Sequence, residues 1–238
     1  MSRIILTDVH GCYKTLLALV AKLPTGIPLT FAGDLIDRGP DSRKVIEFVK
    51  NGGHDCVLGN HEVMMINELK IKENSDGSEV LDPYSYSPHS PIGIWGMNGG
   101  DTTVDSYSIG NGKHDIAAIK EHAEWLNTLP HYLEYPDLKD AQDRHLLVTH
   151  STAAYVWDDV PRDSAQFKDN VLWERTPFPA KIDGIFNVYG HTPQKNGATV
   201  KDHFACIDGG CYVKRQPYGK LFALQWPEMV LFSQDNVE

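Results

Sequence analysis

The stretch Gly33-Asp34-Leu35-Ile36-Asp37-Arg38-Gly39 directly follows a short apolar run at residues 29–32. Asp34 lies 26 positions after Asp8 and 26 positions before Asn60, a spacing close to one strand–helix–strand unit. The chain is therefore expected to return to the same edge of a sheet each time. Four other polar runs also follow apolar segments: Asp8-Val9-His10-Gly11, Gly59-Asn60-His61-Glu62, Thr149-His150 and Gly190-His191-Thr192-Pro193.

Strand and helix patterns alternate through the first part of the chain. Short apolar runs predict strands at residues 4–6, 29–32, 56–58, 146–149 and 185–189. Helical patterns occupy residues 15–20, 41–49, 61–69 and 115–129. Segments separated by Gly, Pro and Asp turns predict an antiparallel C-terminal part with strands at residues 197–201, 204–207, 220–226 and 229–232. Together these patterns predict an α/β fold in which two mixed β-sheets pack as a sandwich, with helices on the outer faces.

The chain length and its apolar content predict one domain over residues 1–238. Hydrophobic residues make up 41% of the sequence, enough for a large core. The segment at residues 72–113 is polar and rich in Gly, Pro, Ser and Tyr. It is too long for an ordinary connection, so we expect a loop-rich segment near the functional site.

The net charge and the cysteine content indicate which binding partners and which cellular compartment to expect. The chain has 22 basic and 32 acidic residues and a net charge of −10, so its surface repels nucleic-acid phosphates and no nucleic-acid partner is expected. Its four cysteines lack zinc-finger spacing, and no apolar stretch is long enough to span a membrane. A cytoplasmic protein with reduced thiols and no membrane attachment is predicted.

The polar runs contain ligands for a first metal ion. Asp8 and His10 lie two positions apart, so both side chains project to one side if the backbone is extended. Asp34 can bridge two ions, because each carboxylate oxygen can bind one of them. Metal one is therefore predicted to be bound by Asp8, His10 and Asp34.

A second ion is predicted at the same edge. Asn60, His150 and His191 would complete its ligands together with Asp34, and the neutral amide limits the negative charge where a phosphate binds. The cofactor is thus a pair of divalent metal ions. Because the ligands are all nitrogen and oxygen, Mn is the first expectation, and Fe, Zn and Ni are alternatives.

Two such ions can clamp a phosphate and lower the pKa of a bridging water, which gives a hydroxide nucleophile. His61 adjoins Asn60 and is predicted to act on the leaving group as a general acid. Asp37 is its predicted partner and would keep the imidazole protonated. Arg38 and Arg175 are predicted to bind the phosphate oxygens through their planar guanidinium groups.

The motifs resemble those of the phosphoprotein phosphatase branch of the calcineurin-like metallophosphoesterases, and most closely the small bacterial and phage-lambda-type serine/threonine phosphatases. That family carries G-D-x-H-G, G-D-x-x-D-R-G and G-N-H-E, followed by two separated histidines. The resemblance implies a β-sandwich flanked by helices and the same metal, acid and phosphate-binding residues. Two departures are Thr7, where the family has glycine, and Ser151, where the family usually has alanine.

The resemblance implies a dinuclear metal-dependent phosphomonoesterase, a serine/threonine or dual-specificity protein phosphatase whose partner is a phosphorylated protein or peptide. The alternative is a dinucleoside tetraphosphate hydrolase, because those enzymes resemble this chain from Asp8 to Tyr13. They typically carry asparagine before the arginine of the second motif and G-N-H-D in the third. Asp37 and Glu62 therefore favour the phosphatase. A non-catalytic metal-binding module would lack a ligand, and every predicted ligand is present.

Overall fold

A computed structural model describes residues 2–90 and 93–238. The strands are β1 (Arg3–Leu6), β2 (Leu29–Phe31), β3 (Asp55–Cys56), β4 (Ile71–Glu73), β5 (Glu79–Leu81), β6 (Ser108–Gly110), β7 (Lys113–His114), β8 (Tyr132–Lys139), β9 (His145–Thr149), β10 (Ile185–Tyr189), β11 (Thr199–Val200), β12 (Phe204–Cys206), β13 (Lys220–Trp226) and β14 (Val230–Asp235). The α-helices are α1 (Tyr13–Val20), α2 (Ser42–Asn51), α3 (Asn60–Glu68), α4 (Gly100–Asp105), α5 (Ile116–Leu126) and α6 (Ala165–Trp173).

Two five-stranded mixed sheets form the centre of the molecule. The first has the order β14-β13-β1-β2-β3 and the second the order β11-β12-β10-β9-β8. Within the first sheet β1, β2 and β3 are parallel, and β13 pairs antiparallel with β1. The predicted α/β sandwich of two mixed sheets is confirmed.

The four predicted C-terminal strands form two antiparallel pairs, β11–β12 and β13–β14, as expected. Two further pairings were not predicted: β12 is parallel to β10 in the second sheet, and the β13–β14 hairpin joins the first sheet beside β1. The turn residues in this region mark where the chain reverses. They carry no information about which distant strand each segment pairs with, so the pairing could not be read from them.

Apolar side chains alternate along the strands and fill three spaces: the one between the two sheets, and the one between each sheet and the helices on its outer face. In β1, Ile5 points into the core between the two sheets, whereas Ile4 and Leu6 pack on the other face against α1 and α2. In β9, Leu146 faces the inter-sheet core and Leu147 packs with the side chains of α6. This period of two is what a sheet buried on both faces requires.

The helix ends agree with the sequence patterns to within a few residues. Asp115 caps α5 through a bond from the Ala118 backbone N–H (3.1 Å). The sequence analysis missed α6, although Ser164 accepts a bond from the Phe167 N–H at 3.1 Å and is a typical cap. It also missed the edge strand β8, in which the pairing register shifts between Tyr135 and Lys139. Residue 136 is a proline, which has no backbone N–H to donate to the neighbouring strand. This explains the register shift, and it is also why no strand was predicted here.

The segment predicted to be loop-rich, residues 72–113, contains parts of two small hairpins, β4–β5 and β6–β7, and the short helix α4. Pro91 and Ile92, within this segment, lie outside the described residues. All four cysteines are buried and free. No helix within residues 2–90 or 93–238 has the length and apolar character needed to cross a membrane.

Candidate metal centre

The five polar runs lie at the carboxyl ends of β1, β2, β3, β9 and β10, the position at which open α/β sheets bind ligands. Strands from both sheets contribute, so the site spans one edge of the sandwich. All eight predicted metal ligands and acid–base residues are buried: Asp8, His10, Asp34, Asp37, Asn60, His61, His150 and His191.

The backbone of these loops is held in a rarely populated conformation. Nine non-glycine residues of the described chain have a positive φ, and six of them are predicted site residues: Asp8, His10, Asp34, Asp37, Arg38 and His191. Each costs on the order of 1–3 kcal/mol and such residues cluster at functional sites. The extended backbone assumed for Asp8 and His10 is therefore wrong, and left-handed turns orient these side chains instead.

Asp34 lies between two groups of potential ligands. Its Oδ2 atom is 3.5 Å from His10 Nε2 and 3.9 Å from His61 Nε2. Its Oδ1 atom is 3.4 Å from His150 Nε2. Two clusters capable of binding a metal ion share this residue, one with His10 and His61 and the other with His150 and His191.

Asp8 lies at the edge of the first cluster. Its Oδ1 atom is 3.9 Å from His10 Nε2, and its Oδ2 atom accepts bonds from the Thr7 hydroxyl and from the His191 N–H (3.1 Å). A Cβ atom at Gly190 would come within 1.9 Å of Asp8 Oδ2, so only glycine allows the β10 loop to approach this carboxylate. Asp8 thus links the loop after β1 to the loop after β10.

The second cluster is closed by Asn60. Its Oδ1 atom lies 2.9 Å from both His150 Nε2 and His191 Nδ1, and these two nitrogens are 3.2 Å apart. The structure therefore brings Asn60, His150 and His191 together around one point, with Asp34 beside them.

The chemistry of these atoms fits divalent cations. The backbone oxygens of Ile36 and Ala32 accept bonds of 2.8 Å from Nδ1 of His10 and His150, which leaves each Nε2 as a lone pair directed at Asp34. Burial and the neighbouring carboxylates Asp8 and Glu62 raise the pKa of Asp34 well above its usual range. Convergent nitrogen and oxygen lone pairs are suited to divalent metal ions, whose charge would take the place of the proton that the raised pKa of Asp34 otherwise favours.

His61 and Asp37 form a buried pair. His61 Nδ1 lies 2.6 Å from Asp37 Oδ2. Burial raises the pKa of Asp37 to about 8 and lowers the pKa of His61 well below its usual range. Burial therefore disfavours the imidazolium expected from the sequence. If Asp37 holds a proton and donates it to Nδ1, the neutral His61 ring would carry its own proton on Nε2, which lies 3.9 Å from Asp34 Oδ2 and could donate it to a leaving group.

Asp37 is held by residues from the loop-rich segment. Its Oδ1 atom accepts bonds from Trp95 Nε1 (3.0 Å) and from the Thr103 hydroxyl (2.6 Å). Its N–H donates to the hydroxyls of Ser42 (3.0 Å) and Thr103 (2.9 Å). The sequence analysis assigned no role to Thr103, and nothing in its local sequence marks it as a partner of an aspartate 66 positions away.

The two predicted phosphate-binding arginines act on different ligand clusters: Arg38 contacts His10 of the first, and the charge of Arg175 acts on His191 of the second. Arg38 Nη1 is 3.0 Å from His10 Nε2, and its guanidinium lies over the ring of Tyr212 at 4.4 Å. Arg175 is exposed, and its charge contributes to lowering the pKa of His191. Trp173 lies two positions before Arg175 in the chain, and its ring contacts the His191 ring edge-on with a centroid separation of 6.0 Å.

The two departures from the family motifs both form contacts at the site. Thr7 donates its hydroxyl to Asp8. Ser151 is fully buried and donates to the backbone oxygen of Glu174 at 2.5 Å, which tethers the segment that carries Arg175. A further buried carboxylate, Asp208, follows β12 and accepts a bond from the Gly210 N–H at 2.7 Å. Asp208 was not among the site residues predicted from the sequence.

Glu62 has a structural role. Its carboxylate accepts bonds of 2.8 Å from the backbone N–H groups of Asp34, Leu35 and Gly59, and its side chain is fully buried. It therefore caps α3 and holds the loop that carries Asp34. This position does not face the substrate, so the difference between glutamate and aspartate in the third motif gives no direct information about the substrate.

The Glu62→Asp variant is expected to be destabilised without changing its substrate preference. Shortening the side chain by one methylene withdraws the carboxylate from three buried donors, and each one left unpaired costs about 1–3 kcal/mol. Urea unfolding should show a stability loss of at least about 3 kcal/mol, the sum of the lowest values for the three donors. Exposed Glu121→Asp is the matched control. A more than tenfold change in the ratio of kcat/KM for two different phosphate substrates would contradict this role.

A β-sandwich whose strand ends bring together nitrogen and oxygen ligands for two cations is the architecture of a metal-dependent hydrolase. Residues 1–195 match the calcineurin-like phosphoesterase family, and the chain belongs to this family.

The chain is 30% identical to the bis(5'-nucleosyl)-tetraphosphatase PrpE [asymmetrical] of Bacillus subtilis (strain 168) over 247 residues, which cover 92% of this chain and 89% of that protein. It is 45% identical over 198 residues to the symmetrical bis(5'-nucleosyl)-tetraphosphatase of Photorhabdus laumondii subsp. laumondii. That alignment covers 81% of this chain and 58% of the relative.

Two solved structures show the same fold. A protein serine/threonine phosphatase from Saccharomyces cerevisiae aligns with a TM-score of 0.60 at 14% identity and covers 100% of this chain and 81% of that one. A metallophosphoesterase from Sphaerobacter thermophilus aligns with a TM-score of 0.54 at 17% identity, over 100% of this chain and 89% of that one. At these identities the likeness concerns the fold alone.

Proposed function

We propose that this protein is a metal-dependent hydrolase of dinucleoside tetraphosphates. The observation that carries the proposal is the 30% identity to the Bacillus subtilis tetraphosphatase across 92% of this chain and 89% of that protein. The 45% identity to a second tetraphosphatase over 198 residues supports it. This was the alternative in the sequence analysis. Glu62 does not favour the protein phosphatase over this function, because its carboxylate accepts bonds from backbone N–H groups of the site loops.

The residues of the site would have different roles in the cleavage of a phosphoanhydride bond. Asp8, His10, Asp34, Asn60, His150 and His191 would hold two divalent cations, which supply Lewis-acid activation of water and charge neutralisation at the phosphoryl group when bound. Arg38, which contacts His10, and Arg175, whose charge acts on His191, would bind phosphate oxygens of the substrate. His61 faces the same space and can donate a proton to the departing oxygen.

A second candidate function is a serine/threonine protein phosphatase that acts on a phosphorylated protein or peptide. The observation that favours it is the buried contact of 2.6 Å between His61 and Asp37. A serine hydroxyl is a much weaker acid than a nucleotide, so its departure requires a proton donor at this position. Departure of a nucleotide depends far less on such a donor.

The test is to load the protein with Mn²⁺ and to compare diadenosine tetraphosphate with a phosphoserine peptide as substrates. We expect kcat/KM for the dinucleotide to exceed that for the peptide at least tenfold. Chromatography of the products shows whether the dinucleotide is cleaved to AMP and ATP or to two molecules of ADP. Chelation of the metal should abolish turnover and Mn²⁺ should restore it. Preferential turnover of the peptide would contradict the proposal and establish the second candidate.

A further inference from the structure

A cavity of about 370 Å³ lies beside the candidate metal centre. Arg38 and Tyr212 belong to its wall, and both also contact His10. Arg38 Nη1 is 3.0 Å from His10 Nε2, and the rings of Tyr212 and His10 have a centroid separation of 5.0 Å. The cavity therefore adjoins the first ligand cluster through these two side chains, and its volume lies within the range of about 300–1,000 Å³ of small-molecule sites.

The cavity lies beside the part of the centre that contains His10 and His61. His61, the proton donor, packs edge-on against His10 with a centroid separation of 4.7 Å, and Tyr212 packs against the same ring. His150 lies at the other carboxylate oxygen of Asp34. A leaving group that takes a proton from His61 would therefore depart on the side of Asp34 where Arg38 and Tyr212 line this cavity.

The lining of the cavity suits a nucleotide. Arg38 and the exposed Lys214 supply two positive charges for a polyphosphate, and Tyr212 supplies an aromatic wall for a base. The exposed Asp105 can accept bonds from ribose hydroxyls, a common role for an acidic residue in nucleotide sites.

The remaining carboxylate of the lining, Glu238, is engaged within the protein. It accepts bonds from the N–H (2.9 Å) and the hydroxyl (3.3 Å) of Thr15 in the first turn of α1. The partial positive charge of the helix N-terminus offsets its negative charge. The carboxylate therefore adds little repulsion for an anionic ligand at the mouth of the cavity.

We infer that this cavity binds the leaving nucleotide of the substrate and that Lys214 is a specificity-determining residue for it. The inference rests on the proposed function, because it names the half of a dinucleoside tetraphosphate that the cavity would accept. Lys214 is exposed at the rim and is separate from the predicted metal ligands. Its substitution should therefore change nucleotide recognition and leave the chemistry at the metal centre intact.

The experiment uses the Mn²⁺-loaded full chain and the variants Lys214→Glu, Lys214→Ala and Lys181→Glu. Lys181 is an exposed lysine that lines a different cavity and serves as the matched control. The dissociation constant of ADP is measured by calorimetry. Hydrolysis of p-nitrophenyl phosphate, which has no nucleotide, reports on folding and on the metal centre.

We expect ADP to bind at least tenfold more weakly to Lys214→Glu, with a smaller loss for Lys214→Ala and none for Lys181→Glu. The kcat/KM for p-nitrophenyl phosphate should change less than twofold in all three variants. Equal ADP affinity in the wild type and Lys214→Glu, no ADP binding to the wild type, or a parallel loss of aryl phosphatase activity would overturn the inference. If ADP binding depends on Lys214 but the wild type does not cleave diadenosine tetraphosphate, the proposed function fails and the nucleotide site stands.

Discussion

The Asp34→Asn variant is expected to lose at least about 10³-fold in kcat on every phosphate substrate and to retain less than one metal ion per chain. Asp34 is the residue shared by the two ligand clusters, and its oxygens lie 3.5 Å from His10 Nε2 and 3.4 Å from His150 Nε2. Removing its charge weakens both clusters at once. Metal ions contribute several kcal/mol to such reactions, and each 1.36 kcal/mol corresponds to a tenfold change in rate.

Asparagine preserves the size of the side chain and can still accept the bond from the His61 N–H (3.1 Å), so the fold should be retained. Asp183→Asn, at a side chain that is 99% exposed, is the matched control and should behave as the wild type. The measurement combines elemental analysis of metal content with steady-state kinetics. Two bound ions together with wild-type turnover in Asp34→Asn would show that Asp34 is not the shared ligand.

The His61→Asn variant is expected to discriminate between leaving groups. Loss of a general acid costs about 10²–10⁴-fold when the departing group needs a proton. We therefore expect such a loss of kcat on a phosphoserine peptide. On diadenosine tetraphosphate the loss should be at least tenfold smaller, since the nucleotide leaves without a strong requirement for protonation.

The kinetic comparison requires that the metal content of His61→Asn be measured as well, because His61 Nε2 lies 3.9 Å from Asp34 Oδ2. The surface substitution His89→Asn is the matched control, since the His89 side chain is exposed. Equal losses on the peptide and on the dinucleotide, with metal content unchanged, would contradict the assignment of His61 as the proton donor.

The ends of the parallel strands could be predicted from the sequence because local patterns determine them. Residues 29–32 are apolar and the polar run from Gly33 follows at once, so Asp34 had to emerge at a strand end. The same reasoning located His150 after β9 and His191 after β10. The regular spacing of Asp8, Asp34 and Asn60 indicated that their strands are neighbours in one sheet, as the order β1-β2-β3 shows.

Features that depend on distant pairing could not be predicted. The β13–β14 hairpin lies beside β1, a pairing across more than two hundred residues that no local pattern encodes. Likewise, Thr103 binds Asp37 and Ser151 binds the Glu174 carbonyl only because the folded chain brings them together. The left-handed conformation of Asp8 and His10 was also missed, because those residue types do not require it.

The central claim is that Asp34 joins two metal sites, and anomalous diffraction from a crystal of the Mn²⁺-loaded protein tests it most directly. The account predicts two anomalous peaks separated by about 3.5–4 Å, with the Asp34 carboxylate between them. Asp8 and His10 should contact one peak, and Asn60, His150 and His191 the other. A single peak would contradict the claim. Two peaks that do not both contact the Asp34 carboxylate would also contradict it.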